Sequence, residues 1–171
     1  MTRSWLIILG LAAVGCGLLA GAPSAKRAPR VLFNTTASAP LGFYRVDQGW
    51  PRLGDLIVVR PPVGLSRWMA MRGYLPRNVP LLKRLAAGEG QRVCGLDGRV
   101  LIDGRGVVRV LTTDHLGRRL TPFAGCRRLG PDEIFLLNPD APGSLDGRYF
   151  GPLSRRTVVG RATPIWTWGA S

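Results

Sequence analysis

Hydrophobic positions follow two regimes along this chain. From Trp5 to Ala22 they form an uncharged run of 18 residues, WLIILGLAAVGCGLLAGA; beyond it they come in short bursts, each closed by glycine, proline, aspartate or asparagine. The long run is just sufficient to cross a bilayer as a helix and exceeds most signal-peptide cores. Cleavage after Ala20-Gly21-Ala22 would leave Pro23 directly behind the cut, which disfavours it, so residues 1–22 are expected as an uncleaved, single-pass membrane anchor. Cys16 reads as a cysteine within that helix, because apolar sequence continues past it and no lipoprotein site is formed. Residues 23–30, PSAKRAPR, read as a polar linker.

The short bursts predict strands. VLFN, DLIVVR, VPLLKRLAA, RVCGL, RVLI, GVVRVLTT, EIFLLN, TVVGRA and PIWTW have strand length and are rich in β-branched, aliphatic or aromatic residues. LDGR, IDGRG, HLGRR and NPDAPG between them carry turn chemistry. The exception is GLSRWMAMRGYL, Gly64 to Leu75, whose apolar spacing predicts a short helix before Pro76. Residues 31–171 are therefore expected as one mainly β domain of about ten short strands, barrel-like or two-sheeted, with no internal repeat.

Composition narrows the partners. At 46% hydrophobic the chain can bury a core and is no disordered tail. The net charge of +14 would suit nucleic acid, anionic lipid head groups or an acidic partner, but the basic residues are dispersed with no run longer than two. No specific nucleic-acid partner is expected on that basis. Of the 24 basic residues only Lys26 and Lys83 are lysines, and a desolvated lysine can act as a base where arginine cannot.

The single histidine, His115, and the pair Cys94 and Cys126 lack metal-ligand spacing, and no phosphate-cradling glycine fingerprint occurs, so neither metal nor cofactor is expected. What remains is a hydroxyl activated by a lysine. In VPLLKRLAA strand alternation puts Val79, Leu81, Lys83 and Leu85 on one face, so Lys83 would point to an apolar side, where burial lowers its pKa. Reaching neutrality would take about 3 pKa units, roughly 4 kcal/mol. Further on, Ser144, Asp146 and Arg148 stand two apart, and an extended segment would turn them the same way as a cluster that orients a lysine amine. Cys94 and Cys126 either pair, as an exported domain allows, or stay as buried thiols; a bridge would contribute about 3 kcal/mol.

NTTASAPLGFYRV (Asn34 to Val46), RGYLPRNVPLLKRLAAGEGQRV and GSLDGRYFGPLSRRTVVGRA, in this order behind an anchor, resemble the boxes of the signal peptidase I (S26) family of serine peptidases, specifically its conjugal-transfer, TraF-like pilin-maturation branch. The resemblance implies a β-rich signal-peptidase fold and a catalytic domain on the periplasmic face of the inner membrane. It implies Ser38 as nucleophile, Lys83 as general base and Asp146 as the acidic residue of the last box, with Ser144 and Arg148 beside it. Thr36 and the Ser38 N–H would form the oxyanion hole. The implied substrate is a precursor pilin or related exported protein of a conjugative or type IV secretion system, cut and optionally cyclised, with other components of that machinery as further partners. A non-catalytic membrane-anchored scaffold and a general signal peptidase are the alternatives.

Three features depart from the pattern or stand against it. One residue, Ala39, separates Ser38 from Pro40, as in the conjugative branch; Glu89-Gly90-Gln91 replaces the usual Pro-Gly-Asp; and Asn138-Pro139-Asp140 stands where Gly-Asp-Asn is usual, so no role passes to it. Lys26, Arg27 and Arg30 follow the anchor while only Arg3 and the terminal amine precede it, and the positive-inside rule alone would keep the domain in the cytoplasm. Ser38 lies 16 residues beyond Ala22, at most about 55 Å of extended chain, which places it near the bilayer. Phe43, Tyr44 and Trp50 are expected to pack in the core, with seating at the membrane as the other use.

Overall fold

The computed structural model describes residues 30–169; the anchor expected over 1–22 and the linker up to Pro29 lie outside the described residues. No helix among the described residues is long and apolar enough to cross a membrane.

The described chain forms eleven strands: β1 (Val31–Asn34), β2 (Leu41–Asp47), β3 (Leu56–Val59), β4 (Leu81–Ala87), β5 (Arg92–Leu96), β6 (Arg99–Ile102), β7 (Arg105–Arg109), β8 (Gly125–Arg128), β9 (Glu133–Leu137), β10 (Leu153–Ser154) and β11 (Val158–Trp168). They make two antiparallel sheets, one of seven strands in the order β1-β2-β11-β3-β4-β9-β10 and one of four in the order β7-β6-β5-β8. Of the two architectures expected, the two-sheeted one is found. Helix α1 (Val63–Met71) follows β3, and a one-turn helix α2 (Gly147–Phe150) follows β9.

Alternation decides what each face buries. On β4, Leu81 and Leu85 pack with Ile57, Leu136 and Met69 in one core, while Leu82 packs with Tyr44, Val46 and Val58 in another. A third core joins the sheets through Val93, Val100, Phe135 and Leu137. Lys83 shares the Leu81 side of its strand and is paired in register with Ile57 of β3.

Some elements differ from the sequence reading. The α1 helix stops at Met71 rather than running to Leu75, because Gly73 adopts φ 69° and the Tyr74 N–H returns to Met69 O at 2.9 Å. TVVGRA and PIWTW are one strand, β11, whose register against β2 shifts between Pro164 and Trp166, where proline offers no ladder N–H. The β2 strand was hidden by Gly42, whose φ of 135° and close approach to the Trp166 carbonyl leave no room for a Cβ. Short β8, with every residue exposed, carries no apolar alternation to read. Of the three aromatics expected in the core only Tyr44 is buried; Phe43 and Trp50 are exposed, and Trp50 lies under the Arg155 guanidinium at 3.6 Å.

Cys94 and Cys126 face each other across β5 and β8 and are joined by a disulfide, Cα–Cα 4.0 Å. It closes a 32-residue separation that contains β6, β7 and the loop after them. Both cysteines should resist alkylation until the protein is reduced, and a Cys94→Ser/Cys126→Ser protein should lose roughly 2–4 kcal/mol in urea unfolding; ready alkylation of the unreduced protein would contradict the bridge.

Candidate active site

The site is built around one buried amine. Lys83 is 3% exposed, and its Nζ donates to Ser144 Oγ at 2.8 Å and to Ser38 Oγ at 3.0 Å. Burial lowers its pKa from the ordinary 10.5 to about 8; the Asp146 carboxylate opposes that shift and the Arg148 guanidinium adds to it. At pH 7 about one-tenth of the molecules therefore carry the neutral amine a general base requires.

Ser38 sits in the loop between β1 and β2, wrapped around one side chain. Asn34, at the buried end of β1, donates through Nδ2 to the carbonyls of Thr36, Ala39 and Pro40, each at 3.0 Å. Its Oδ1 accepts from the Thr36 N–H at 3.1 Å and the Thr36 hydroxyl at 2.8 Å. Tyr44 adds a hydrogen bond from its hydroxyl to Pro40 O at 2.6 Å. Thr36 Oγ1 stands 3.4 Å from Ser38 Oγ, with its proton turned toward Asn34. No acceptor among the described residues meets the Ser38 N–H.

The segment after β9 carries the rest. Asp146 is itself extended, but a helical turn begins at Gly147, so Ser144, Asp146 and Arg148 do not alternate along one extended segment as the sequence predicts. Asp146 caps α2, accepting from the Arg148 N–H at 3.2 Å. Its carboxylate, 0% exposed, pairs with the Arg148 guanidinium, 1% exposed, at 2.8 and 3.0 Å. The desolvated carboxylate and guanidinium neutralise each other, and of the three residues Ser144 alone hydrogen-bonds Lys83. Arg148 also donates to the carbonyls of Pro142 at 2.9 Å, Asn138 at 3.1 Å and Ala141 at 3.4 Å, so it holds the loop that presents Ser144. The turn demands Gly147, since a Cβ there would stand 2.7 Å from Leu136 O.

Three features escaped the sequence reading. Asn34 organises the Ser38 loop, as described. Asn138, 4% exposed, donates through Nδ2 to the carbonyls of Ser38 and Leu82 and accepts the Arg84 N–H at 3.1 Å. Both are asparagines at the ends of apolar strands, VLFN and EIFLLN, which is the only local sign of them. The third is a hairpin, residues 111–120, that walls the groove over Ser38 and Lys83. The groove encloses about 890 Å³ and is lined by Leu32, Leu81, Leu111, Leu120 and Leu145 among others. The hairpin is fastened to the end of α1: the Tyr74 hydroxyl donates to Asp114 Oδ2 at 2.5 Å, and Arg118 donates to Asp114 at 2.7 Å and to Arg72 O at 2.8 Å. Desolvation raises the Asp114 pKa, but the hydrogen bonds from Tyr74, Arg118 and Leu116 outweigh it and hold the carboxyl below its usual range. His115 is exposed at the tip of this hairpin.

Comparison with known proteins identifies a family. The family described as signal peptidase, peptidase S26, matches residues 6–168. The conjugal transfer protein TraF of Agrobacterium fabrum is 37% identical over 148 residues, covering 79% of this chain and 81% of the relative. A plasmid transfer protein TraF of Escherichia coli is 31% identical over 170 residues, covering 91% and 94%. Among solved structures, a signal peptidase I from Enterococcus faecalis is similar at 19% identity and TM-score 0.42, over 68% of this chain and 100% of that one.

With only two lysines in the chain, ¹³C-lysine labelling gives two NMR signals to follow. One should titrate near 8, and two signals both at the ordinary lysine value would contradict the buried amine. The stability consequence has a definite sign: between pH 8 and 10.5 the unfolded chain keeps a proton on Lys83 that the folded chain has released, so folding gains stability as pH rises through that window. Relative to Lys83→Met, the natural protein should gain about 3 kcal/mol in urea unfolding between pH 7 and pH 10.5.

Proposed function

This chain belongs to the signal peptidase family, peptidase S26, and we propose that it is a membrane-anchored Ser-Lys endopeptidase that matures a precursor pilin or related exported protein for conjugal transfer. The observation that carries the reading is the buried Lys83 amine within hydrogen-bonding distance of two hydroxyls, Ser38 at 3.0 Å and Ser144 at 2.8 Å, beneath an apolar groove. The relatives that bear conjugal or plasmid transfer names support the choice of substrate class.

In the proposed reaction an extended substrate segment lies in the groove with a small residue on the acyl side of the bond to be cut. Neutral Lys83 takes the Ser38 proton as Oγ attacks the carbonyl carbon. The Ser38 N–H receives the oxyanion, joined by the Thr36 hydroxyl once it turns away from Asn34; such donors are typically worth about 3 kcal/mol each. The protonated amine then gives its proton to the leaving nitrogen, and an acyl-enzyme remains. Water, deprotonated by Lys83, releases the product by hydrolysis, or the substrate's own terminal amine attacks and closes a ring. Ser144 holds the amine in line throughout. Asp146 acts through Arg148 and the loop they fasten, and contributes its charge to the potential at the amine.

On this reading the domain faces the periplasm at the inner membrane, against the positive-inside reading of Lys26, Arg27 and Arg30. Supporting a position at the bilayer surface is an exposed aromatic cluster on the edge of the sheet that leads from the linker. Phe33 and Phe43 lie 4.7 Å apart, Phe33 and Trp168 6.0 Å, and Trp166 and Trp168 5.5 Å. The two tryptophans, each with an apolar ring and a polar N–H, favour that interface, and the two phenylalanines add apolar surface beside them.

Ser38→Ala and Lys83→Ala, each expressed with a precursor pilin, should abolish the faster-migrating mature form on a gel while the protein stays folded. Maturation that survives both changes would sink the peptidase reading.

A further inference from the structure

We propose that Asn138 is the positioning residue of this site, a buried carboxamide that sets the spacing between the strand bearing Lys83 and the loop bearing Ser38. The inference rests on the peptidase reading and adds to it a part that no box of the sequence carries.

Asn138 directly follows β9, the neighbour of β4 in the large sheet, and is 4% exposed. Its Nδ2 donates to Leu82 O at 3.2 Å while its Oδ1 accepts the Arg84 N–H at 3.1 Å, so it grips the backbone on both sides of Lys83. The same Nδ2 donates to the carbonyl of Ser38 itself, 100 residues away in the chain. The Asn138 backbone is held in turn: its N–H donates to Asp146 Oδ2 at 3.0 Å, and its carbonyl accepts from Arg148 Nη2 at 3.1 Å. One residue thus joins the three segments that supply Ser38, Lys83 and Ser144.

The nucleophile loop has few other hydrogen bonds that register it against β4. Asn34 ties residues 36–40 to one another and to β1, not to the strand that carries the lysine. Among the described residues, the hydrogen bonds that cross from this loop to β4 or β9 are the Lys83–Ser38 bond and the Asn138–Ser38 bond. The first is broken and remade as the proton moves, so of the two bonds only the second persists through a turnover, and it adds direction to the non-directional packing of Ala39 in the core that contains Leu82. Both Nδ2 protons are needed for the two carbonyls and one Oδ1 lone pair for Arg84, a demand that fits an amide and no carboxylate.

The test uses the full-length protein in detergent and an internally quenched peptide with alanine on the acyl side of its scissile bond. Asn138→Ala should lower kcat by about 30- to 100-fold with KM within about threefold, the pattern of a displaced reacting pair rather than a lost binding contact. Asn138→Asp, which turns an oxygen toward two carbonyls, should fall at least as far. Asn138→Ser, with one donor left, should keep an intermediate rate. In the alanine protein the Lys83 NMR titration should move up toward the ordinary lysine value, as the loosened loop admits water to the amine that Asp146 and Arg148 flank. A residue that merely steadies the fold would lower the melting temperature and leave kcat and this titration in place, which would overturn the proposal. A raised KM at constant kcat would overturn it too, as would failure of both the alanine and serine proteins to fold. Should Ser38→Ala and Lys83→Ala themselves keep cleaving the peptide, it is the peptidase reading that fails, which the Asn138 variants alone would not reveal.

Discussion

The structure is organised around keeping one amine dry. Lys83 sits on a strand inside the seven-stranded sheet, flanked by β3 and β9, with aliphatic neighbours on its own side and two hydroxyls to take its N–H bonds. A strand suits this because alternation fixes the side-chain direction and neighbouring ladders exclude water from the backbone. Withholding the charge from water costs about 3 kcal/mol at neutral pH, a large share of what a domain of this size has to spare. The three apolar clusters offset it.

A second buried charge system, two opposite charges in contact, stands next to the amine. The Asp146 carboxylate favours the protonated lysine and the Arg148 guanidinium disfavours it, so desolvation is left as the dominant influence. The pair earns its place mechanically. Residues 138–144 have no regular structure, yet several of their carbonyls are buried and each needs a donor. A guanidinium offers five donors in a rigid fork, and Arg148 directs them to Asp146, Asn138, Ala141, Pro142 and the Arg109 carbonyl. A lysine could reach one of these groups but not the fan of them.

The groove above the amine is completed from the other sheet. The hairpin 111–120 comes from the connection between β7 and β8, whose second strand is joined to β5 by Cys94–Cys126, and meets the end of α1 through Tyr74, Asp114 and Arg118. The floor of the site and its wall thus belong to different sheets, and the clamp at Asp114 sets their separation.

Local pattern carried much of this. The nine-residue stretch VPLLKRLAA announces a strand and the side on which Lys83 points; RVCGL and RVLI delimit β5 and β6 as written; and the order of the three boxes places the chain in its family. Period and composition act over a few residues, so they determine strand, face and turn. They are silent on β2 and β8, where a glycine or a wholly exposed run erases the alternation. They mislead at Ser144, Asp146 and Arg148, where a buried ion pair and a helix cap override the extended geometry. Asn34 and Asn138 read locally as strand-ending asparagines, because their partners are carbonyls and amides that every residue possesses. Which backbone group meets which carboxamide across 100 residues is decided only when the sheets have packed and each buried polar atom must find a partner.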